Sequence, residues 1–172
     1  MTTVELIRAF GRDLSVGIVI TDAFIERPGP TIVYVNPAFS QLVGRDPDEI
    51  VGQSPRLMQG RETRRSTLDA FHRALKAGGR FHGYLTNYRG DGTKYRAEVD
   101  CRPLHSACGE IEGFISFERA VLRRIGRPTE SSGGRYDANP ISNDLLSGAL
   151  RSLGVFSSGD QHRSPIQSIE AA

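Results

Sequence analysis

Few residues of this 172-residue chain have a type and spacing suited to covalent or metal chemistry. Cys101 and Cys108 form no CxxC pair, and two cysteines build neither a metal cluster nor a disulfide framework. They read as reduced thiols of a cytoplasmic protein. No nucleophile stands beside a base, and GRDPDEIVG lacks the glycine spacing of a phosphate-binding loop, so an enzyme is the weakest reading. Two titratable residues stand out instead. Along IEGFISFER, alternation puts Phe114, Ser116 and Glu118 on one strand face, opposite Ile115 and Phe117. An ionised carboxylate on a core face can only accept hydrogen bonds and needs a partner, for which His72 or Arg56 is the expectation. His72 itself falls one position off the Leu68, Phe71 and Leu75 stripe, so it reads as a half-exposed helix histidine. An axial haem role for it has no second feature in support.

The elements that position these residues follow from periodicity. Val4, Ile7, Phe10 and Leu14 share one stripe, which predicts an amphipathic N-terminal helix within residues 1–14. GIVITD and TIVYVN are β-branched runs around a turn-rich loop. Asn36-Pro37 and Asp46-Pro47 each pair a capping residue with proline at the first helical position. A longer helix after Thr63 ends at Gly78-Gly79. Two strands joined by Gly90-Asp91-Gly92 and a third over residues 111–119 complete the order. In the second of these, Tyr95, Ala97, Val99 and Cys101 alternate with Arg96, Glu98, Asp100 and Arg102, as in a sheet with one face in the core. The fold class is α+β: a five-stranded antiparallel sheet, short helices on one face, and the N-terminal helix in addition. Such a layout encloses a cleft between helices and sheet. Residues 123–172 turn rich in Gly, Pro and Ser and read as a flexible extension, with one short amphipathic helix near 143–156 carrying Leu146, Leu150 and Leu153. A net charge of +2 without a basic block gives no sign of nucleic acid, and no apolar run reaches membrane-spanning length.

GIVITDA, YVNPAFSQLVGRDPDEIVGQ, LTNYRGDGTKY and the GFISFE strand together resemble a PAS domain over residues 15–122. The stretch Gly52-Gln53-Ser54-Pro55-Arg56-Leu57-Met58-Gln59-Gly60, followed by Glu62-Thr63, is similar to the GRNCRFLQG motif of light-oxygen-voltage (LOV) domains. Asn87-Tyr88-Arg89 ahead of Asp91-Gly92 supports that subfamily. The resemblance implies a sensory protein with FMN in the cleft and a photoreactive cysteine that adds to the flavin. That cysteine position is Pro55, which has no nucleophile.

For the cofactor the resemblance speaks unevenly. It implies that Arg56 pairs with the phosphate, Gln59 with the ribityl chain and Asn87 with the ring edge. Four other pocket positions depart from the family: Ser54 replaces an asparagine, His72 the second phosphate arginine, Ala97 the second ring asparagine, and Glu118 the ring-facing glutamine. At about 1 kcal/mol for each lost hydrogen bond, four losses weaken binding by roughly three powers of ten. No cofactor is therefore firmly implied, and FMN is the only named candidate. A regulatory module acting in trans through protein contacts is the leading expectation, and a flavin sensor working by photoreduction without an adduct is the alternative. Tyr84, Thr86, Ile115 and Phe117 are expected to form an apolar patch on the outer sheet face. The N-terminal helix, the region around Val121-Leu122 or a second subunit should cover it, so a homodimer or partner surface is expected there.

Overall fold

Asn36 joins more of the chain than its capping role requires. In the computed structural model, which describes residues 3–123 and 136–137, its Oδ1 accepts from the backbone N–H of Phe39 at 2.9 Å and of Ile18 at 2.7 Å. Its Nδ2 donates to the carbonyls of Gly11 and Val16, both at 2.9 Å. One buried amide thus ties helix α1 (Thr3–Gly11), strand β1 (Gly17–Asp22) and helix α2 (Pro37–Val43) together. Between β1 and α2 runs β2 (Ile32–Val35), antiparallel to β1. Helix α3 (Pro47–Ile50) follows, with the Glu49 carboxylate accepting from the Asp46 N–H at 2.9 Å. After a 3-10 turn at Pro55–Met58 comes α4 (Arg65–Lys76).

Strands β3 (Phe81–Tyr88), β4 (Lys94–His105) and β5 (Ile111–Arg123) pair antiparallel, and the strand order is β2-β1-β5-β4-β3. The β3–β4 turn places Gly92 at φ 85°, a left-handed conformation that glycine adopts without steric cost. A sixth strand, β6 (Tyr136–Asp137), pairs with Leu122 and Arg123 at the end of β5, beyond the five expected. The helix expected near 143–156, with the rest of the C-terminal extension, lies outside the described residues.

Both sheet faces are covered, differently. On the inner face Val19 and Val35 pack under Phe39, Val43, Ile50 and Met58. Leu85, Tyr95, Ala97, Val99, Cys101 and Phe114 face the stripe of α4. No residue of α4 is fully buried, so this helix sits against the sheet without sealing it. On the outer face α1 lays Ile7 over Ile18, Ile20, Ile115 and Phe117. Burying four such side chains contributes about 1.5–3 kcal/mol apiece.

The outer face corrects one expectation, while the N-terminal helix covers Ile115 and Phe117 as expected. Ile115 and Phe117 lie fully buried beneath α1, while Tyr84 and Thr86 are half-buried two strands away on β3. The four do not make one patch, because the polar row of β4 runs between them. That row is not solvated either: Glu98, Asp100 and Arg102 are buried. Asp100 takes two bonds each from Arg80, at 2.7 and 2.8 Å, and from Arg102, at 3.2 and 3.0 Å. Glu98 is held by His82 at 2.9 Å and Arg119 at 2.7 Å. Long arginine side chains from β5, from β4 itself and from just before β3 cover the carboxylates they pair with, which alternation alone cannot reveal.

Candidate functional site

The 3-10 turn is built for proline. Ser54 caps it, its Oγ accepting from the Arg56 N–H at 3.4 Å, and Pro55 takes the first helical position, where no N–H is needed. Pro55 is half-buried. Gln59 closes the turn through its backbone N–H, donated to the Arg56 carbonyl at 3.0 Å. The two cysteines of the chain lie elsewhere. Cys101 is buried on the inner face of β4, and burial pushes its thiol up to about 12, so it is protonated and a poor nucleophile. Cys108 is exposed in the β4–β5 turn.

The inner face carries three polar groups close to one end of the β3–β4–β5 sheet. Glu118 is 5 % exposed and its Oε2 meets no hydrogen-bond partner. Burial raises its carboxyl to about 8, so at neutral pH it is mostly the neutral acid, which donates as well as accepts. The expected partners are not with it. His72 bonds Glu26 at 3.3 Å, and Arg56 donates to the Gly29 and Ile25 carbonyls at 3.0 and 3.1 Å. The expectation that His72 or Arg56 satisfies Glu118 is overturned: both reach the β1–β2 loop, and desolvation neutralises the acid instead. The Tyr95 hydroxyl is likewise buried without a well-formed hydrogen bond. Burial raises its pKa, the Glu118 charge adds to that, and the neighbouring Asn87 amide opposes it. Asn87 is 4 % exposed and sits directly across the β3–β4 ladder from Tyr95. Ala97, two residues on from Tyr95, offers only a methyl group.

The β1–β2 loop closes the other end. Ile25 packs into the inner cluster with Phe71, and Phe71 stacks on Phe81 at 4.2 Å between centroids. Glu26 next to it receives both His72 and Lys76, the latter at 3.6 Å. The residues present therefore do not fit FMN. Its ring end would find Glu118, Tyr95 and Asn87, but at its phosphate end Arg56 serves backbone carbonyls and His72 faces a carboxylate. A groove of about 510 Å³ lies between the α1–β1 link, α2 and β5, with Gly17, Leu42, Glu118 and Ala120 in its walls and no residue of α4, β3 or β4.

The pattern of the PAS domain family matches residues 15–120. The chain belongs to the PAS domain family. Among solved structures, this PAS domain is similar to the LOV domain of the photoreceptor Aureochrome1 in its light state, at 31 % identity and a TM-score of 0.59, over 68 % of this chain and 89 % of that one. The LOV domain of a blue-light-activated histidine kinase from Erythrobacter litoralis has the same fold at a TM-score of 0.57 and 24 % identity, over 62 % of this chain and 96 % of that one. Curated relatives include the bacterioopsin transcriptional activator of Halobacterium salinarum, 30 % identical over 79 % of this chain, and the blue-light-activated histidine kinase of Brucella canis, 30 % identical over 60 %. The chain spans 21 % of the length of each of these two relatives. It is a LOV-type sensory signalling domain. Among the described residues no helix is long and apolar enough to cross a membrane.

Sequence reasoning passed over Tyr95 and Glu26. Tyr95 was signalled by its place in the inward alternation with Ala97, Val99 and Cys101. Glu26 carried no signal, since a single acid in a turn-rich loop has no periodicity to read.

Proposed function

We propose that this LOV-type domain is a regulatory module that signals to another protein by direct contact and forms no cysteinyl–flavin adduct. Pro55 carries the reading: the turn that would present a thiol to the cleft is capped and led by proline. Cys101 faces the core as a protonated thiol, and Cys108 lies in an exposed turn. The names of the relatives, a transcriptional activator and histidine kinases, favour a regulatory role. For a homodimer or partner surface the part of the outer face left by α1 is the best candidate, around Tyr84, Thr86 and the Arg80–Asp100–Arg102 lattice.

A visible spectrum of the purified chain, with the denatured supernatant assayed for released flavin, tests the cofactor side of this reading. Protein free of FMN is expected. Stoichiometric FMN would favour a flavin sensor instead.

A further inference from the structure

The outer apolar face is already occupied, since α1 packs over Ile18, Ile115 and Phe117 there. The groove of about 510 Å³ between the α1–β1 link, α2 and the end of β5 has no such cover among the described residues. Leu14, Pro37, Ala38, Leu42 and Ala120 stand in its walls. Leu122, two residues past Ala120, is exposed, and so is Phe10, two residues before Arg12 of the same wall. Apolar side chains on and around a concave surface mark a docking place.

The chain itself brings a segment there. β6 pairs Asp137 with Leu122 and Tyr136 with Arg123, so the backbone returns to the end of β5 beside the groove. From Asp137 to Asn143 the chain can span about 20 Å, whereas Leu122 and Ala120 are about 7 Å apart along the strand. Residues 143–156, outside the described part, place Leu145, Leu146, Ala149, Leu150, Leu153 and Phe156 on one arc at helical spacing. Asp144, Ser147 and Arg151 fall on the opposite side. A helix of this length is marginal alone in water and needs its apolar arc covered to persist.

We propose that residues 143–156 dock as a helix, apolar arc inward, in the groove between the α1–β1 link, α2 and the end of β5. The proposal goes beyond the signalling reading and holds whether or not flavin binds. It seats the C-terminal extension on the inner side of the sheet's end, away from the face that α1 covers. A protein that binds either the arc or the groove competes with this docking, which makes the segment a point of control over contacts in trans.

Cross-linking in the full chain tests it. In a Cys108→Ser background, Gln41→Cys on the groove wall and Ala149→Cys on the arc are joined by a short bis-maleimide, with Thr86→Cys and Ala149→Cys as the outer-face control. Intramolecular links from position 41 should exceed those from position 86 about tenfold, and Leu150→Asp should abolish the excess. Hydrogen exchange gives the second reading: Leu150→Asp should speed the amides of residues 12–15 about tenfold while those of β3 and β4 keep their rates. Equal linking at the two positions with unchanged exchange would overturn the proposal. Preferential linking to position 86 would move the segment to the outer face, and links between two chains would give the groove to a second copy; either result overturns it too. None of these outcomes touches the adduct-free reading, which rests on Pro55.

Discussion

Replacing Glu118 by glutamine should remove a pH dependence of stability that this one side chain imposes. The carboxyl titrates at about 8 in the folded chain against an ordinary value of 4.5. Folding therefore favours the protonated form. The native state binds more protons than the unfolded state between those values, so stability is full below about pH 4.5 and is lost as pH rises through about 8. The interval of roughly 3.5 pH units, at about 1.4 kcal/mol per unit, sets an upper limit of about 5 kcal/mol, of which about 3 is already lost at pH 7. Glutamine has the same shape and never ionises. Urea unfolding of both proteins from pH 5 to pH 9 gives the difference directly, and other titrating groups cancel in it. Near-equal stability at pH 5 and a Glu118→Gln advantage that grows to a few kcal/mol by pH 9 are expected. Parallel curves would refute the reasoning, because they would mean that Glu118 reaches water or an unseen cation.

The remaining predictions concern the frame around that residue. Asn36→Ala removes the side-chain partner of the Ile18 N–H and the Val16 carbonyl, while the Phe39 N–H keeps the Asn36 carbonyl and the Gly11 carbonyl keeps the Leu14 N–H, so it should cost about 2–4 kcal/mol in urea unfolding, more than the loss of an ordinary helix cap. Burial works to raise Asp100, but the hydrogen bonds and charges of Arg80 and Arg102 outweigh it and hold the carboxyl below its usual range. Its stabilisation is thus present above the ordinary carboxylate pKa and lost as pH falls through the lowered one. Asp100→Asn should cost about 3–5 kcal/mol at pH 7, and much less when unfolding is measured in strong acid. Deleting residues 1–11 uncovers Ile18, Ile115 and Phe117, and light scattering should then show self-association beyond that of the full chain.

How much of this was legible in the sequence depends on what kind of signal each feature leaves. Asn36-Pro37, Asp46-Pro47 and Gly90-Asp91-Gly92 act through local chemistry, so they marked their elements correctly. The alternation in β4 showed that Tyr95 and Cys101 share a face, and the structure puts both inside. The fate of the other face depended on side chains from other strands. Arg80, His82 and Arg119 bury Glu98 and Asp100 from positions on β5 and on or beside β3 that no spacing within β4 could announce. The site divides in the same way. Glu118 was recognisable as a carboxylate on a core face, but its solution is a raised pKa rather than an ion pair. His72 and Arg56 pointed to Glu118 only while the β1–β2 loop had no position. Once that loop folds over the cleft, Glu26 and the Ile25 and Gly29 carbonyls claim both.

The most direct test of the central claim is a light-minus-dark difference spectrum of the flavin-supplied chain, read together with its intact mass. With Pro55 leading the turn, blue light should produce no adduct band and no covalent mass increase. A reversible loss of the flavin's blue absorption with a new near-ultraviolet band, and flavin bound to Cys101 or Cys108, would contradict the account.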